Sequence, residues 1–151
     1  MYDLQSFNGC YKGNIAECMF KLVNANLVIT KFFNKAKYMQ IFGKYYNQDQ
    51  IKFLNDNWYS IDGIEIKFVN GVKNIILYEI KSKNAVYSKF KKWPLKITRN
   101  TFEIYSKSKS LGFQPKLATV WFLENWHFDV KIKDFDSARW TIDKPKKYDK
   151  K

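Results

Sequence analysis

The stretch that decides the fold is residues 59–81, YSIDGIEIKFVNGVKNIILYEIK. Two runs rich in Ile, Val, Tyr and Phe flank Asn70-Gly71. A type I′ turn needs positive φ at both of its central positions, and Asn-Gly tolerates this best, so the dipeptide predicts a two-residue β-hairpin loop. The chain therefore contains an antiparallel pair of strands, predicted as residues 58–69 and 72–82.

The register of this hairpin brings charged side chains together. If Val69 faces Val72, Asp62 lies directly across from Glu79, and opposed side chains share one face of the sheet. Lys81 lies two residues beyond Glu79 and points to the same face. The face continues toward the turn with apolar residues: Ile64, Ile66, Phe68, Ile75 and Leu77. Two carboxylates and an amine at the rim of a core are the groups of a metal-dependent hydrolytic site, whereas the alternative is a solvated face with a weak ion pair.

Composition predicts one domain. The chain has 151 residues, of which 46% are hydrophobic and 19% aromatic. This is enough for a core and too apolar for a disordered chain. We expect the domain to span residues 1–140, with a basic, flexible tail at 141–151. No apolar run reaches membrane-spanning length and the start lacks a secretory signal pattern, so an intracellular, cytoplasmic protein is expected.

The charge predicts a polyanionic partner. Lys and Arg number 27 against 14 Asp and Glu, which gives a net charge of +13. This excess favours nucleic acid over a membrane, because no basic amphipathic anchor is evident. A general basic bias is the alternative. Four lysines just after the hairpin are the candidate nucleic-acid-binding residues: Lys83, Lys89, Lys91 and Lys92. The same stretch could instead be a solvated linker.

Cysteine and histidine chemistry is not indicated. Cys10 and Cys18 are not in a zinc-binding spacing, and the single histidine, His127, is distant in sequence. We expect both thiols to be reduced and mostly buried. We expect His127 to be packed or hydrogen-bonded in a strand rather than catalytic.

Periodicity gives the other elements. Helices are predicted at residues 14–25, with Asn14 as the N-cap, near 49–54 and at 98–111, where Gly112 ends the helix. Strands are predicted at 27–33, 116–123 and 127–133. In the first helix, the spacing of Ile15, Met19 and Leu22 predicts the buried stripe. The fold class is α/β, a single domain with a mixed β-sheet flanked by helices.

The charged positions resemble a known family. A helical Glu, then a strand Asp, then Glu-x-Lys followed by Ser is similar to the PD-(D/E)XK nuclease superfamily, especially its archaeal Holliday junction resolvase-like branch. The matching residues are Glu17, Asp62, Glu79-Ile80-Lys81 and Ser82. The resemblance covers roughly residues 12–124. The chain departs from the pattern at Ile61, where Pro is usual, and in the longer stretch 34–57.

The resemblance implies a restriction-endonuclease-like core and a Mg²⁺-dependent DNA endonuclease, with Mn²⁺ as a substitute and a homodimer as the assembly. Asp62, Glu79 and the backbone carbonyl of Ile80 would be metal ligands, Lys81 would orient or activate water, and Glu17 would act at the edge of the site through a water. A junction-resolving enzyme and a sequence-specific homing or restriction-like enzyme both remain open. So does a non-catalytic basic nucleic-acid-binding module. For Glu17, the alternative is a surface pair with Lys21.

Overall fold

A computed structural model of the protein describes residues 9–84, 95–123, 127–135 and 140–143. The helices are α1 (Gly9–Val23), α2 (Lys35–Phe42), α3 (Gln48–Asn57) and α4 (Arg99–Ser110). The strands are β1 (Val28–Ile29), β2 (Gly63–Val69), β3 (Val72–Asn84), β4 (Leu95–Thr98), β5 (Gln114–Phe122), β6 (Phe128–Asp134) and β7 (Trp140–Asp143). Short 3-10 turns lie at Thr30–Phe32, Gly43–Tyr45 and Trp58–Ser60.

The predicted hairpin is confirmed with its register. Val69 pairs with Val72, and the antiparallel ladder runs to Gly63 opposite Tyr78. The two loop residues both have positive φ, 52° at Asn70 and 77° at Gly71. The two-residue turn therefore fixes which residues of β2 and β3 face each other.

Five strands form one mixed sheet in the order β1-β2-β3-β5-β6. Strands β3 and β5 are parallel, and the other neighbouring pairs in this sheet are antiparallel. Strands β4 and β7 form a separate parallel pair. The predicted class, a single α/β domain with a mixed sheet and flanking helices, is confirmed.

Each face of the sheet carries its own apolar cluster. Alternate residues of β3 divide between them, since Leu77 belongs to one cluster and Ile76 to the other. Phe20 of α1 packs with Ile76, whereas Tyr105 of α4 and Trp58 pack with Leu77. We call the surface beneath Tyr105 and Leu77 the α4 face. Glu79 shares this face with Leu77 because the two residues are two apart on one strand.

Several predicted boundaries are wrong. The predicted strand 27–33 is only Val28–Ile29 and is followed by a 3-10 turn, and the second strand begins at Gly63 rather than at residue 58. The reason is local: Thr30 donates its main-chain N–H to the Asp62 carbonyl over 3.1 Å and its hydroxyl to the Ile61 carbonyl. These bonds hold the chain in turns where a longer ladder was expected.

The connecting stretch 34–57 is more helical than predicted. It forms α2 as well as α3, and α3 is longer than the predicted helix near 49–54. Asn47 and Gln50 form a reciprocal capping box at the start of α3, which supplies its N-terminal hydrogen bonds. The predicted helix 98–111 is confirmed to within a residue, with Thr98 as N-cap and a φ of 92° at Gly112.

The buried stripe of α1 was predicted only in part, because Ile15 and Met19 are partly buried and pack against the cluster that contains Phe20, whereas Leu22 does not. The helix starts at Gly9, before Asn14, and it buries Ala16, Glu17 and Phe20, while Leu22 is exposed. The sequence pattern misled because the helix contacts the sheet through a narrow stripe that includes a carboxylate.

Predictions for the cysteines and the histidine also need correction. Cys18 is exposed, not buried, and the side chain of Cys10 lies outside the described residues. His127 is exposed just before β6 and is not packed. Residues 141–143 belong to β7, inside the stretch expected to be a tail, and 144–151 lie outside the described residues. Among the helices of the described ranges, none has the length and apolarity needed to cross a membrane.

Candidate active site

Asp62 lies where main-chain pairing between β2 and β3 ends. Its N–H still donates to the carbonyl of Tyr78 over 3.2 Å. The next main-chain donor of β3, the N–H of Ile80, donates to the Asp62 side chain instead of to a main-chain carbonyl, and the distance to Oδ2 is 2.8 Å. The carboxylate therefore occupies the edge of the sheet where a further strand residue would otherwise pair, and this bond fixes its position.

The predicted cluster of three charged side chains is confirmed as geometry. The register places Asp62 beside Glu79, and a side-chain hydrogen bond joins the two carboxyl groups. The Lys81 ammonium lies 3.2 Å from Glu79 Oε2. Glu79 is buried, whereas Lys81 is partly exposed. The cluster thus opens to solvent on the lysine side.

The two carboxyl groups resist being ionised together. Burial and the charge of Asp62 raise the pKa of Glu79 to about 8, and Lys81 offsets only part of this rise. Burial also raises the pKa of Asp62, against the lowering effect of the Ile80 N–H bond. Neighbouring buried carboxyls titrate as a pair. Without a bound metal ion, these shifts disfavour the state in which both carboxyl groups are ionised.

Tyr105 supports this pair from beneath. Its hydroxyl is fully buried and donates to the Tyr78 carbonyl over 2.7 Å. The same hydroxyl neighbours the Glu79 side chain, and burial, followed by the charge of Glu79, raises the pKa of Tyr105 well above its ordinary value. The tyrosine therefore stays protonated, and its one proton is donated to the Tyr78 carbonyl. Sequence reasoning missed it, since the spacing of α4 indicated only an apolar core residue.

Glu17 lies near the pair but is held by a different lysine. Its Oε1 is 2.8 Å from the Lys31 ammonium, and Lys31 also donates to Asn14 Oδ1 over 3.0 Å. Burial raises the pKa of Glu17, and the charge of Asp62 also raises it. The surface pair with Lys21 is not formed, because Lys21 donates to the main-chain oxygens of Ala25 and Leu27.

One carboxylate oxygen of Glu17 also lacks a hydrogen-bond donor among the described residues. This oxygen, Oε2, is buried. A buried carboxylate oxygen without a donor is costly, so it marks a position that a water or cation would stabilise.

The donor set suits a small hard cation held mainly by water and substrate. Across the described ranges, no three His, Cys, Asp or Glu side chains lie close enough to hold a metal ion by themselves. Mg²⁺ is commonly bound by one or two carboxylates together with waters and phosphate oxygens. The Asp62–Glu79 pair fits this pattern. The Ile80 carbonyl projects toward the same edge as its N–H, since both groups of a strand residue point to one side.

Basic residues extend from the pair across the α4 face. In the strand registers, Thr119 of β5 lies between Lys81 of β3 and Lys131 of β6. In the same way, Leu117 of β5 lies between Glu79 of β3 and Lys133 of β6. Residues aligned across neighbouring strands share a face, and two strand spacings are roughly 10 Å. Lys131 and Lys133 therefore stand on the same face as the carboxylate pair. Sequence reasoning missed both lysines because their alignment depends on strand order.

Of the predicted nucleic-acid-binding lysines, Lys83 alone lies in the described part of the chain. It is half-buried, two residues beyond Lys81 on the same face of β3. Lys89, Lys91 and Lys92 lie outside the described residues. On the α4 face, Lys81, Lys83, Lys131 and Lys133 form one group of basic residues, which we call the lysine row, and Asp129 is aligned with Lys83 through Trp121.

Comparison of this chain with protein-family models, with curated proteins and with solved structures finds no significant match.

Proposed function

We propose that this protein is a Mg²⁺-dependent DNA endonuclease that hydrolyses phosphodiester bonds. The observation that carries the proposal is the meeting of Asp62, Glu79 and Lys81 at the open edge of the hairpin. Two acidic ligands and one cation at a partly exposed edge are the groups that phosphoryl hydrolysis needs.

Asp62, Glu79 and the Ile80 carbonyl would hold the ion, and Mn²⁺ would substitute for Mg²⁺. When bound, the ion supplies a Lewis acid for the phosphate and a bound water of lowered pKa. Asp62 is oriented for this role by the Ile80 N–H, and the Lys81 ammonium lies 3.2 Å from Glu79 Oε2. Glu17 would contribute through a water, and its free oxygen Oε2 supports this role.

Lys81 is the residue that faces the substrate. Its ammonium now balances Glu79, and it is the partly exposed member of the cluster. In the complex, the ammonium stabilises the negative charge that develops on the phosphoryl oxygens and orients the attacking water. The lysine row holds the flanking phosphates on the α4 face.

The order of elements agrees with the PD-(D/E)XK resemblance. A helix with Glu17, then β1, the β2–β3 hairpin with the acidic pair, α4 and the parallel strand β5 follow in the expected sequence. On this resemblance we propose a restriction-endonuclease-like core, and a junction-resolving or otherwise structure-selective activity. A sequence-specific homing or restriction-like enzyme of the same fold is the alternative. A homodimer would cut both strands, since each chain has one such cluster.

One experiment tests the activity. Plasmid, single-stranded and four-way-junction DNA are incubated with the protein in Mg²⁺, in Mn²⁺ and in EDTA. Cleavage in either metal and none in EDTA supports the proposal. The junction substrate distinguishes structure-selective from sequence-specific cutting, because only the former depends on the branch.

A non-catalytic nucleic-acid-binding module is the second candidate. The observation that favours it is that Asp62, Glu79 and Lys81 already satisfy one another without a metal. Such a module needs no divalent ion. Under this reading, Asp62→Ala leaves nucleic-acid affinity unchanged, and no substrate is cut in any metal.

A further inference from the structure

Two aromatic side chains are exposed on the 3-10 turns that adjoin Asp62. Phe32 is 58% exposed and Tyr59 is 87% exposed. Large aromatic groups usually bury most of their surface, so two exposed rings near a charged cluster indicate a binding surface.

The chain holds both residues next to Asp62. Phe32 ends the 3-10 turn Thr30–Phe32, which packs against the 3-10 turn Trp58–Ser60 that carries Tyr59. The first turn is bonded to Asp62 through the Thr30 N–H over 3.1 Å. The second turn ends two residues before Asp62 in sequence. Both aromatic positions are therefore fixed to the backbone that presents the carboxylate.

A second contact places the Phe32 ring near the acidic cluster. The Lys31 ammonium lies 5.9 Å from the centre of the Phe32 ring and 2.8 Å from Glu17 Oε1. The charge of Asp62 acts on this same Glu17 carboxyl. The exposed Phe32 ring is thus linked through Lys31 to Glu17, on the side of the cluster that α1 and β1 form.

We propose that Phe32 and Tyr59 form a stacking platform for unpaired bases of a single-stranded nucleic acid whose phosphates lie on the neighbouring basic residues. This inference deepens the proposed function, on which its link to cleavage rests. The net charge of +13 and the partly exposed Lys31 ammonium, 5.9 Å from the centre of the Phe32 ring, provide the charge complementarity for the strand. Every base has an apolar π-face, whereas paired bases in a duplex are stacked on one another and unavailable, so the platform selects single-stranded or splayed segments.

The test measures affinity without metal for a fluorescent single-stranded DNA oligonucleotide and for its duplex. Phe32→Ala and Tyr59→Ala should each weaken single-strand binding by about tenfold, which is the scale of losing one stacked base. Duplex binding should change less than twofold. The affinity for an RNA oligonucleotide of the same sequence is measured as well, and the comparison shows whether the protein prefers DNA or RNA.

The chain offers a matched control in Phe68, which is also 58% exposed. It lies six residues along β2 from Asp62, roughly 20 Å at about 3.3 Å per residue. Phe68→Ala should leave both affinities unchanged. Phe32→Tyr should keep single-strand binding and Phe32→Leu should lose it, because leucine keeps the apolar volume but has no π-face.

A covalent readout locates the platform. A single-stranded probe with 5-iododeoxyuridine is photocrosslinked to the wild-type protein and the modified residue is mapped by mass spectrometry. Crosslinks at Phe32 or Tyr59 support the proposal. Equal losses for Phe32→Ala and Phe68→Ala, or unchanged single-strand affinity in both platform variants, would overturn it.

The outcomes separate this inference from the proposed function. If Asp62→Asn stops cleavage while the platform variants bind normally, the platform is wrong and the nuclease stands. If the platform variants lose single-strand binding while no cleavage occurs in any metal, the platform stands and the nuclease is wrong.

Discussion

The carboxyl groups of Asp62 and Glu79 share a hydrogen bond at the point where β2 and β3 stop pairing. The backbone fixes the Asp62 side of this contact, because the Asp62 carboxylate accepts the Ile80 N–H over 2.8 Å. Without a bound metal ion, protonation of one of the two carboxyl groups stabilises the pair. A cation would replace that proton.

The first prediction concerns pH. Burial and Asp62 raise the pKa of Glu79 from 4.5 to about 8, so the protonated form favours folding. Stability from this group is full below pH 4.5 and falls as pH rises toward 8. We expect the metal-free protein to lose on the order of 4 kcal/mol of unfolding free energy over this range relative to Glu79→Gln, since one pKa unit is about 1.4 kcal/mol.

Urea unfolding in EDTA at several pH values measures this difference. Glu103→Gln, an exposed residue of α4, is the control and should run parallel to the wild type. Saturating Mg²⁺ should restore stability at pH 8. If the wild type and Glu79→Gln change in parallel, the proton is not held by this pair.

The second prediction is that Tyr105→Phe weakens the site without removing it. The substitution deletes a buried hydroxyl that donates to the Tyr78 carbonyl and neighbours Glu79. We expect about 1–3 kcal/mol less unfolding free energy, because a buried acceptor loses its donor. The pH at which cleavage is half-maximal should also shift, since Glu79 loses a neighbouring hydroxyl. A loss of stability with an unchanged pH profile would make Tyr105 a core residue only.

The third prediction concerns the lysine row. Lys131→Gln and Lys133→Gln should each weaken DNA binding at low salt and each lower the slope of log affinity against log salt by about 1. Lys52→Gln is the control, because Lys52 is exposed on α3 and pairs with Asp56. The wild-type affinity should fall steeply between about 50 and 200 mM salt. A flat dependence would contradict the polyanion interpretation of the charge.

The hairpin and its acidic pair were predictable because their signals are local. Asn70-Gly71 sets the turn, and the turn alone sets which residues oppose each other. The Tyr105–Glu79 contact joins residues far apart in sequence, and nothing in the spacing of α4 distinguishes a tyrosine that supports a carboxylate from one that fills a core. The Glu17–Lys31 pair likewise depends on the 3-10 turn that replaced a predicted strand.

The order of the strands in the sheet was the other feature that could not be predicted from the sequence. Lys131 and Lys133 align with the site only because β5 lies between β3 and β6. A hydrophobic pattern identifies strands without ordering them, so the sequence indicated a basic protein but not this basic row. The restriction-endonuclease-like core and the metal remain predictions.

The central claim is that the Asp62–Glu79 pair binds a divalent ion and cuts DNA. Single-turnover cleavage is compared for the wild type, Asp62→Asn, Glu79→Gln and Lys81→Ala, in Mg²⁺ and in EDTA, with DNA affinity measured in parallel. Asp56→Asn, an exposed carboxylate paired with Lys52, is the control. We expect the three site variants to lose cleavage by about a hundredfold or more. DNA affinity should be unchanged or higher in Asp62→Asn and Glu79→Gln, because a charge that repels phosphate is gone, and lower in Lys81→Ala, because a phosphate-binding charge is lost. Asp56→Asn should cut normally. Cleavage by Asp62→Asn at the wild-type rate, or wild-type cleavage that persists in EDTA, would contradict the account.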